Sequence, residues 1–474
     1  MSAAPAATAS ESRGLGLAGA LRLGLFQGCL GCLAVIFAGL LNRIMLSELG
    51  FSGLLVGGVL AFEQFVAPSR VLFGQLSDAH PLAGLRRTPY IWGGSLLFCG
   101  LAVAAIPMIF QVHRLLQAGS AAAIFTGVLA LCGLFALYGL AISLATTPYL
   151  ALVIDRTSEQ ERPRAVGIIW CLLTVGIVVG AIAIGFSLRE LDGVSDPAVL
   201  EPVLLAFMMR VALIVLLLTL VATWGFERPG QPPVASASAQ RDDAISLRQA
   251  WSLITSSSQV LVFFTFLLLF TLGLFLQDPI LESYGAEVFG MPIAATAGLN
   301  ALWGIGTLVG LLLAGLWIVP KLGKLATARL GCRLILASLL LLLLVGIGGR
   351  VAHLQAVMVL FGLSAGIGTN SALCLMLDLT LPEATGTFVG VWGLAQALSR
   401  ALGKLIGGGL LDLGRWLQLW AAPAGGAYPA FALVLAVEVV VAFGALIVLE
   451  RLDLRRFRAD TGRSLSKVLA LEVG

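Results

Sequence analysis

Charge is what this sequence has least of. Only 11% of its 474 residues are Asp, Glu, Lys or Arg, where soluble chains carry roughly 25%. A soluble chain of this length has a large wet surface to cover with polar groups. The deficit therefore excludes a fold surrounded by water and assigns much of the surface to lipid. The net charge of +4 is too mild to make nucleic acid the main partner. Histidine is scarce too: His80, His113 and His353 are the three, all in or beside polar breaks. The seven cysteines all fall in apolar stretches and none frames an exposed loop, which excludes a secreted disulfide scaffold. Cys29 and Cys32 form a C-x-x-C, read here as small packing residues on one helix face rather than a redox or metal pair. No polar segment carries a phosphate-binding glycine loop, a dinucleotide fingerprint, an H-E-x-x-H or a nucleophile elbow. Catalysis and ATP driving thus have no support, and neither an enzymatic role, a metal site nor a tightly bound cofactor is expected.

What the sequence has is apolar length. Hydrophobic residues make up 59% and the mean hydropathy is +1.00. A hydrocarbon core about 30 Å thick needs roughly 20 apolar residues per helix. That ruler gives segments near 20–47, 52–76, 90–112, 121–150, 165–188 and 203–226, then near 258–284, 293–319, 326–348, 353–377, 386–411 and 428–449. The expected architecture is all-α: twelve transmembrane helices in two six-helix halves, 20–226 and 258–450. A linker with Pro229, Pro232 and Pro233 fills 227–257. Residues 1–19 read as a disordered N-terminal segment without the charged region and short apolar run of a signal peptide. Residues 451–474 read as a basic tail lying on the anionic cytoplasmic leaflet.

Orientation follows from Lys and Arg. With both termini cytoplasmic, 20 of the 29 cations lie on the cytoplasmic side and six (Arg43, Arg114, Arg189, Arg210, Arg350, Arg415) opposite. Arg70, Arg400 and Lys404 lie inside or close to segments. The bias predicts N-in and C-in. The halves also echo each other. Leu41–Gly50 ends segment 1 in the register in which Leu276–Gly285 ends segment 7, and Asp155–Gly167 parallels Asp378–Gly390. Such pairs mark folds built from repeats about an axis along the membrane normal.

Charges at membrane depth are costly, which makes them functional candidates. Arg43 and Asp278 occupy matching outer ends of segments 1 and 7 with opposite signs. Either they form an ion pair or shared polar network across the halves, or each reaches the outer headgroups separately. Glu63 and Arg70, two turns apart, share a face of segment 2. Arg400 and Lys404 share a face of segment 11, placed to receive an anionic group or to pair with Asp412. Glu438 stands alone in segment 12. Glu63, Gln64, Asn300, Asn370 and Gln396 are the oxygen donors for a transient Mg²⁺, each otherwise a helix–helix hydrogen bonder. Between segments 2 and 3, Gly74-Gln-Leu-Ser-Asp78 precedes Arg86-Arg87. This resembles the cytoplasmic motif of the major facilitator superfamily. Gly74 would permit close helix approach, and Asp78 would pair with arginine or sit at a helix end. The role is gating or bracing. Asp155, Glu161, Arg162 and Arg164 make a similar cluster between segments 4 and 5.

Longer stretches resemble one family. Gln277-Asp-Pro-Ile-Leu-Glu-Ser-Tyr-Gly-Ala-Glu-Val-Phe-Gly-Met291 is similar to the segment 7 signature of the PucC-type, or bacteriochlorophyll delivery, family of that superfamily. So are Leu41-Asn-Arg-Ile-Met45 with Glu48-Leu-Gly50, and Phe65-Val-Ala-Pro-Ser-Arg70 running on to Arg86-Arg-Thr-Pro-Tyr-Ile-Trp92. One departure is Ser283, where the family pattern has proline. The wording is closer to the branch linked to pigment-synthesis genes, or its cyanobacterial relatives, than to the branch serving the peripheral antenna. The resemblance implies an assembly factor for light-harvesting complexes that holds or delivers (bacterio)chlorophyll transiently. Its implied partners are antenna polypeptides or pigment-synthesis enzymes. Arg43, Glu48, Glu63, Arg70, Gln277, Asp278, Glu282, Arg400 and Lys404 are the candidates for an inter-half polar network or for binding pigment or partner. The implied location is a bacterial inner, intracytoplasmic or thylakoid membrane. With no histidine mid-segment, a stable histidine-ligated haem or chlorophyll array is not expected. A proton-coupled solute transporter and a structural subunit of a photosynthetic complex are the alternatives. The transporter requires mid-cavity carboxylates, and Asp278 and Glu282 lie nearer the outer end.

Overall fold

An apolar run in lipid has no water to satisfy its backbone, so it closes its hydrogen bonds internally as helix. The computed structural model describes residues 15–157, 161–191, 194, 196–227, 258–378, 385–421 and 426–453. The first half holds α1 (Gly16–Glu48), α2 (Gly53–Ser69 with Leu72–Ala79), α3 (Thr88–Ala118), α4 (Ala121–Arg156), α5 (Arg162–Ser187) and α6 (Pro197–Thr223). The second holds α7 (Ser258–Phe275 with Leu281–Phe289), α8 (Ile293–Leu313, continuing to Leu322), α9 (Lys324–Gly348), α10 (Val351–Asp378), α11 (Thr385–Ala421) and α12 (Tyr428–Glu450). Among the described residues, ten helices are long and apolar enough to cross a membrane as single spans, and the bent α2 makes an eleventh. The more polar α11, 37 residues long, completes the twelve. The chain is a multi-pass membrane protein.

The helix ends follow local chemistry. Ser52 and Ser120 cap α2 and α4 by accepting the N–H of Leu55 and Ala123, and Asp196 caps α6 by accepting that of Ala198. Gly290 ends α7 in the left-handed conformation at φ 65°, its N–H returning to Ala286. Several helices are irregular, α8 with a π turn at Ala314–Ile318 among them. Pro68 sits in a 3₁₀ turn where α2 bends by 46°. Residues 276–280, with Pro279, interrupt α7. The outer third of α1 contains wide π turns at Ile36–Leu41 and Ile44–Glu48. Helix α4 runs six residues past the expected 150, and α11 ten past the expected 411. Residues 16–19, expected to be disordered, are the first turn of α1. Residues 1–14, the linker from 228 to 257 and the tail from 454 lie outside the described residues, as does the Asp378–Gly390 echo apart from its helical backbone.

Packing repeats between the halves. Helix α1 lies on α5, α2 on α4 and α3 on α6; correspondingly α7 lies on α11, α8 on α10 and α9 on α12. Two seams join the halves, α2 with α11 and α5 with α8. Close approach sets the first seam. A Cβ on Gly57 would stand 2.0 Å from the Lys404 carbonyl, and one on Gly408 would stand 1.9 Å from the Gly53 carbonyl. Lipid offers no hydrophobic exclusion, so backbone contact through small residues holds such helices together.

Candidate functional site

On the side expected to face the cytoplasm the motif residues fold around one guanidinium. Arg87, only 9% exposed, reaches Asp78 at 2.5 Å, Asp155 at 3.2 Å and the Ser77 hydroxyl at 2.7 Å. These groups come from the end of α2, the start of α3 and the end of α4. The Glu227 carboxylate, just past α6, accepts the backbone N–H of Arg86 (2.5 Å), Arg87 (3.0 Å) and Thr88 (2.8 Å). A carboxylate there satisfies orphan donors and meets the positive end of the α3 dipole. Glu227 escaped the sequence reading because its partner is a helix end 140 residues away. Arg86 is exposed. Arg164 stands apart, on the first turn of α5 beside Glu161 and the start of α1. At Gly74 a Cβ would meet only the Thr147 methyl, at 3.4 Å, an ordinary contact, so close approach does not require glycine there.

On the outer side α1 and α7 meet in a polar network. Arg43, 6% exposed, donates to the Thr296 hydroxyl of α8 at 2.7 Å and pairs with Glu48 at 3.4 Å. Asp278 instead pairs with Lys404, at 3.9 Å. Of the two expected arrangements, an ion pair or a shared network, the direct pair does not form: Arg43 turns to Thr296 and Glu48, Asp278 to Lys404 of α11, and it is Asn42, beside Arg43, that reaches the Asp278 backbone. Asn42 donates to the Asp278 carbonyl at 3.4 Å and to Glu282 at 3.3 Å, and Asn300 of α8 donates to the other Glu282 oxygen. Glu282 is 1% exposed. Gly39 of α1 presses on it: a Cβ there would be 3.1 Å from both Glu282 Oε1 and Asn300 Nδ2. Further out, the Ser47 hydroxyl lies 2.8 Å from that of Ser283 and 3.1 Å from a Glu287 carboxylate oxygen, and Glu287 binds Arg415 at 2.8 Å.

Asp412 does not pair with Arg400 or Lys404 as expected. Its carboxylate crosses the α2–α11 seam and accepts the N–H groups of Gly53 at 2.6 Å and Leu54 at 2.8 Å. Glu438, fully buried on α12, accepts the Gln277 N–H at 3.4 Å and so supports the interrupted α7. The Gln277 side chain donates to the Leu274 carbonyl at 3.2 Å. Deeper toward the cytoplasm, Glu63 accepts from Gln64 at 3.3 Å, and Glu63 interacts electrostatically with Arg70 and Arg400.

Of the five residues offered as alternative single oxygen ligands for magnesium, three make helix contacts. Gln64 turns to Glu63, Asn300 to Glu282 and Asn370 to the Leu311 carbonyl. Among the described residues no three His, Cys, Asp or Glu side chains gather as a metal cage.

A family model described as "PUCC protein" matches residues 40–457. The chain belongs to the PucC family. Among curated relatives, an "Uncharacterized protein in puhA-bchM intergenic region" of Rhodobacter capsulatus is 31% identical over 83% of this chain and 80% of its own. "Protein PucC" of Rhodovulum sulfidophilum is 29% identical over 85% of this chain and 87% of its own. A "Bacteriochlorophyll synthase 44.5 kDa chain" of Rhodobacter capsulatus is 31% identical over 90% and 94%. Among solved structures, a mutant form of the nucleoside transporter NupG superposes with a TM-score of 0.66 at 13% identity, covering 92% of this chain and 99% of NupG. An inward-facing, unoccupied bacterial homologue of the lysosomal transporter Spinster gives 0.65 at 16% identity over 94% and 97%. The fold of this PucC-family chain is that of the major facilitator superfamily.

Proposed function

We propose that the chain is an assembly factor for photosynthetic pigment–protein complexes, which binds or delivers (bacterio)chlorophyll to nascent antenna polypeptides in the photosynthetic membrane. One observation carries this reading: the PucC family match runs over residues 40–457, nearly the whole chain. A relative named as a bacteriochlorophyll synthase chain, aligned over 90% of this chain, supports the link to pigment. The bundle offers large apolar helix faces to lipid, Phe186, Trp317, Ile347 and Val440 among them. Such faces suit a lipophilic pigment and single-span polypeptides without a polar pore. The reading gives the chain a carrying role and no covalent chemistry of its own. Absorption spectroscopy and identification of co-purifying chains, after mild-detergent extraction from the native membrane, test it. Bound pigment together with antenna or pigment-synthesis proteins is the expected result. A colourless, solitary protein that moves a solute in vesicles overturns it.

A proton-coupled transporter is the second reading, and Glu282 favours it. This buried carboxylate takes hydrogen bonds from Asn42 in one half and Asn300 in the other. A proton arriving there would change the bonding across the halves.

A further inference from the structure

Helices α2 and α11 touch at their outer ends and leave charged groups uncovered further in. The seam is backbone-tight at Gly53 and Gly57, yet Arg70 on α2 and Arg400 on α11 are both exposed. The Arg400 guanidinium lies over the Phe275 ring of α7 at 4.5 Å and interacts electrostatically with Asp278, Arg70 and Glu63. It therefore points inward among α2, α7 and α11. An arginine at this depth facing hydrocarbon would be costly, so its exposed surface borders a wet cleft between the halves.

The local carboxylates act on these two arginines from a distance and make their close contacts with other groups. Asp278 pairs with Lys404 at 3.9 Å, and Glu63 holds Gln64 at 3.3 Å. Among the described residues neither Arg70 nor Arg400 has a carboxylate within ion-pair distance. Two guanidinium forks from opposite halves present planar donors suited to a carboxylate or phosphate. Beside them Phe275 meets Trp303 of α8 edge-on, with ring centroids 6.2 Å apart. The Trp303 Nε1–H is buried and has no acceptor among the described residues.

We propose that Arg70 and Arg400 form an anion site in this cleft, taking a carboxylate or phosphate carried on an apolar body that lies against Phe275 and Trp303. The site stands on this geometry and holds whether or not the chain assembles antenna complexes. Because the two cations belong to different halves, an anion between them senses the halves' relative position and binds one arrangement better than another.

The full chain, purified in dodecyl maltoside, is titrated with pyrene-1-butyrate and separately with its methyl ester, binding being read by fluorescence anisotropy. Wild type should bind the acid about tenfold or more tightly than Arg70→Gln or Arg400→Gln, as expected when one charge-assisted contact is lost. Ester binding should be equal in all three. Arg400→Lys should fall between, since it keeps the charge and loses the fork. Arg114→Gln, which removes an outer-surface partner of Glu201, should bind like wild type. Acid and ester bound equally by wild type would overturn the proposal even where a variant fails to fold. So would acid binding unchanged in both folded glutamine variants. Competition separates the sources of the anion. Displacement of the probe by inorganic phosphate or benzoate assigns a soluble anion. Displacement by phosphatidylglycerol, with phosphatidylcholine inert, assigns a lipid headgroup. Failure of all of these to compete counts against the site.

Discussion

Arg87 holds three groups that would otherwise repel or stand alone: Asp78, Asp155 and the Ser77 hydroxyl. Replacing it by Gln leaves two carboxylates near each other without their cation. Asp78 is largely exposed, so solvent relieves part of that cost. Arg87→Gln is expected to lose about 1–3 kcal/mol, read as a lower apparent melting temperature in detergent. The same change at exposed Arg86 should leave the transition nearly unmoved, and equal effects at both positions would count against the assigned geometry. Glu227→Ala removes the acceptor for three backbone donors at the start of α3. It should cost about 0.5–2 kcal/mol, the range for lost helix caps, and Glu227→Gln should retain part of it. The sequence displayed the charges of this cluster. It did not display that Arg87 rather than Arg86 turns inward, because both lie in the bend before α3 and only packing decides which of them is covered.

Helices α2 and α11 touch along glycine, and contact at that distance leaves no room for a side chain. Gly57→Val would place its Cβ against the Lys404 carbonyl and is expected to force the outer ends apart. A membrane-impermeant maleimide should then label a cysteine placed at Ser47 several-fold faster than in the parent carrying the same cysteine. Unchanged labelling would show that the seam yields elsewhere. Asp412 acts on the same seam, since its carboxylate caps α2 from the opposite half. Asp412→Ala should raise that labelling as well, and Asp412→Asn less so, because an amide oxygen still accepts one N–H. The spacing of glycines was visible along the chain. Which glycines face each other was not, since the partner sits some 350 residues away and its register depends on how the halves dock.

Two halves joined by outer polar contacts form a molecule whose outer end is closed where Ser47 and Ser283 share a hydrogen bond of 2.8 Å. Cysteines at both positions are therefore expected to join as a disulfide under mild oxidation. The pair should lock the outer end, and a reducing agent should reverse it. Failure to cross-link, with both single cysteines reactive, would place the ends farther apart than described. The locked form also tests function at this scale. An assembly factor that works through its lipid-facing surface should keep its antenna yield when locked, whereas a carrier that alternates between the two sides of the membrane should lose it.

Composition, the spacing of apolar runs and the Lys/Arg bias by themselves determined the membrane class, the helix count, the two-half plan and the expected orientation, because lipid imposes length and backbone closure on every span. The stretches from Leu41 to Gly50 and from Gln277 to Met291 carried the family. The tertiary structure decided the pairings. Arg43 meets Thr296 and Glu48, Asp278 meets Lys404, and Asp412 meets the start of α2. Each choice depends on the interruption of α7 and on the relative placement of helices from different halves. Side-chain reach is only a few ångströms, so a charge's partner is set by packing geometry that no local pattern along the chain encodes.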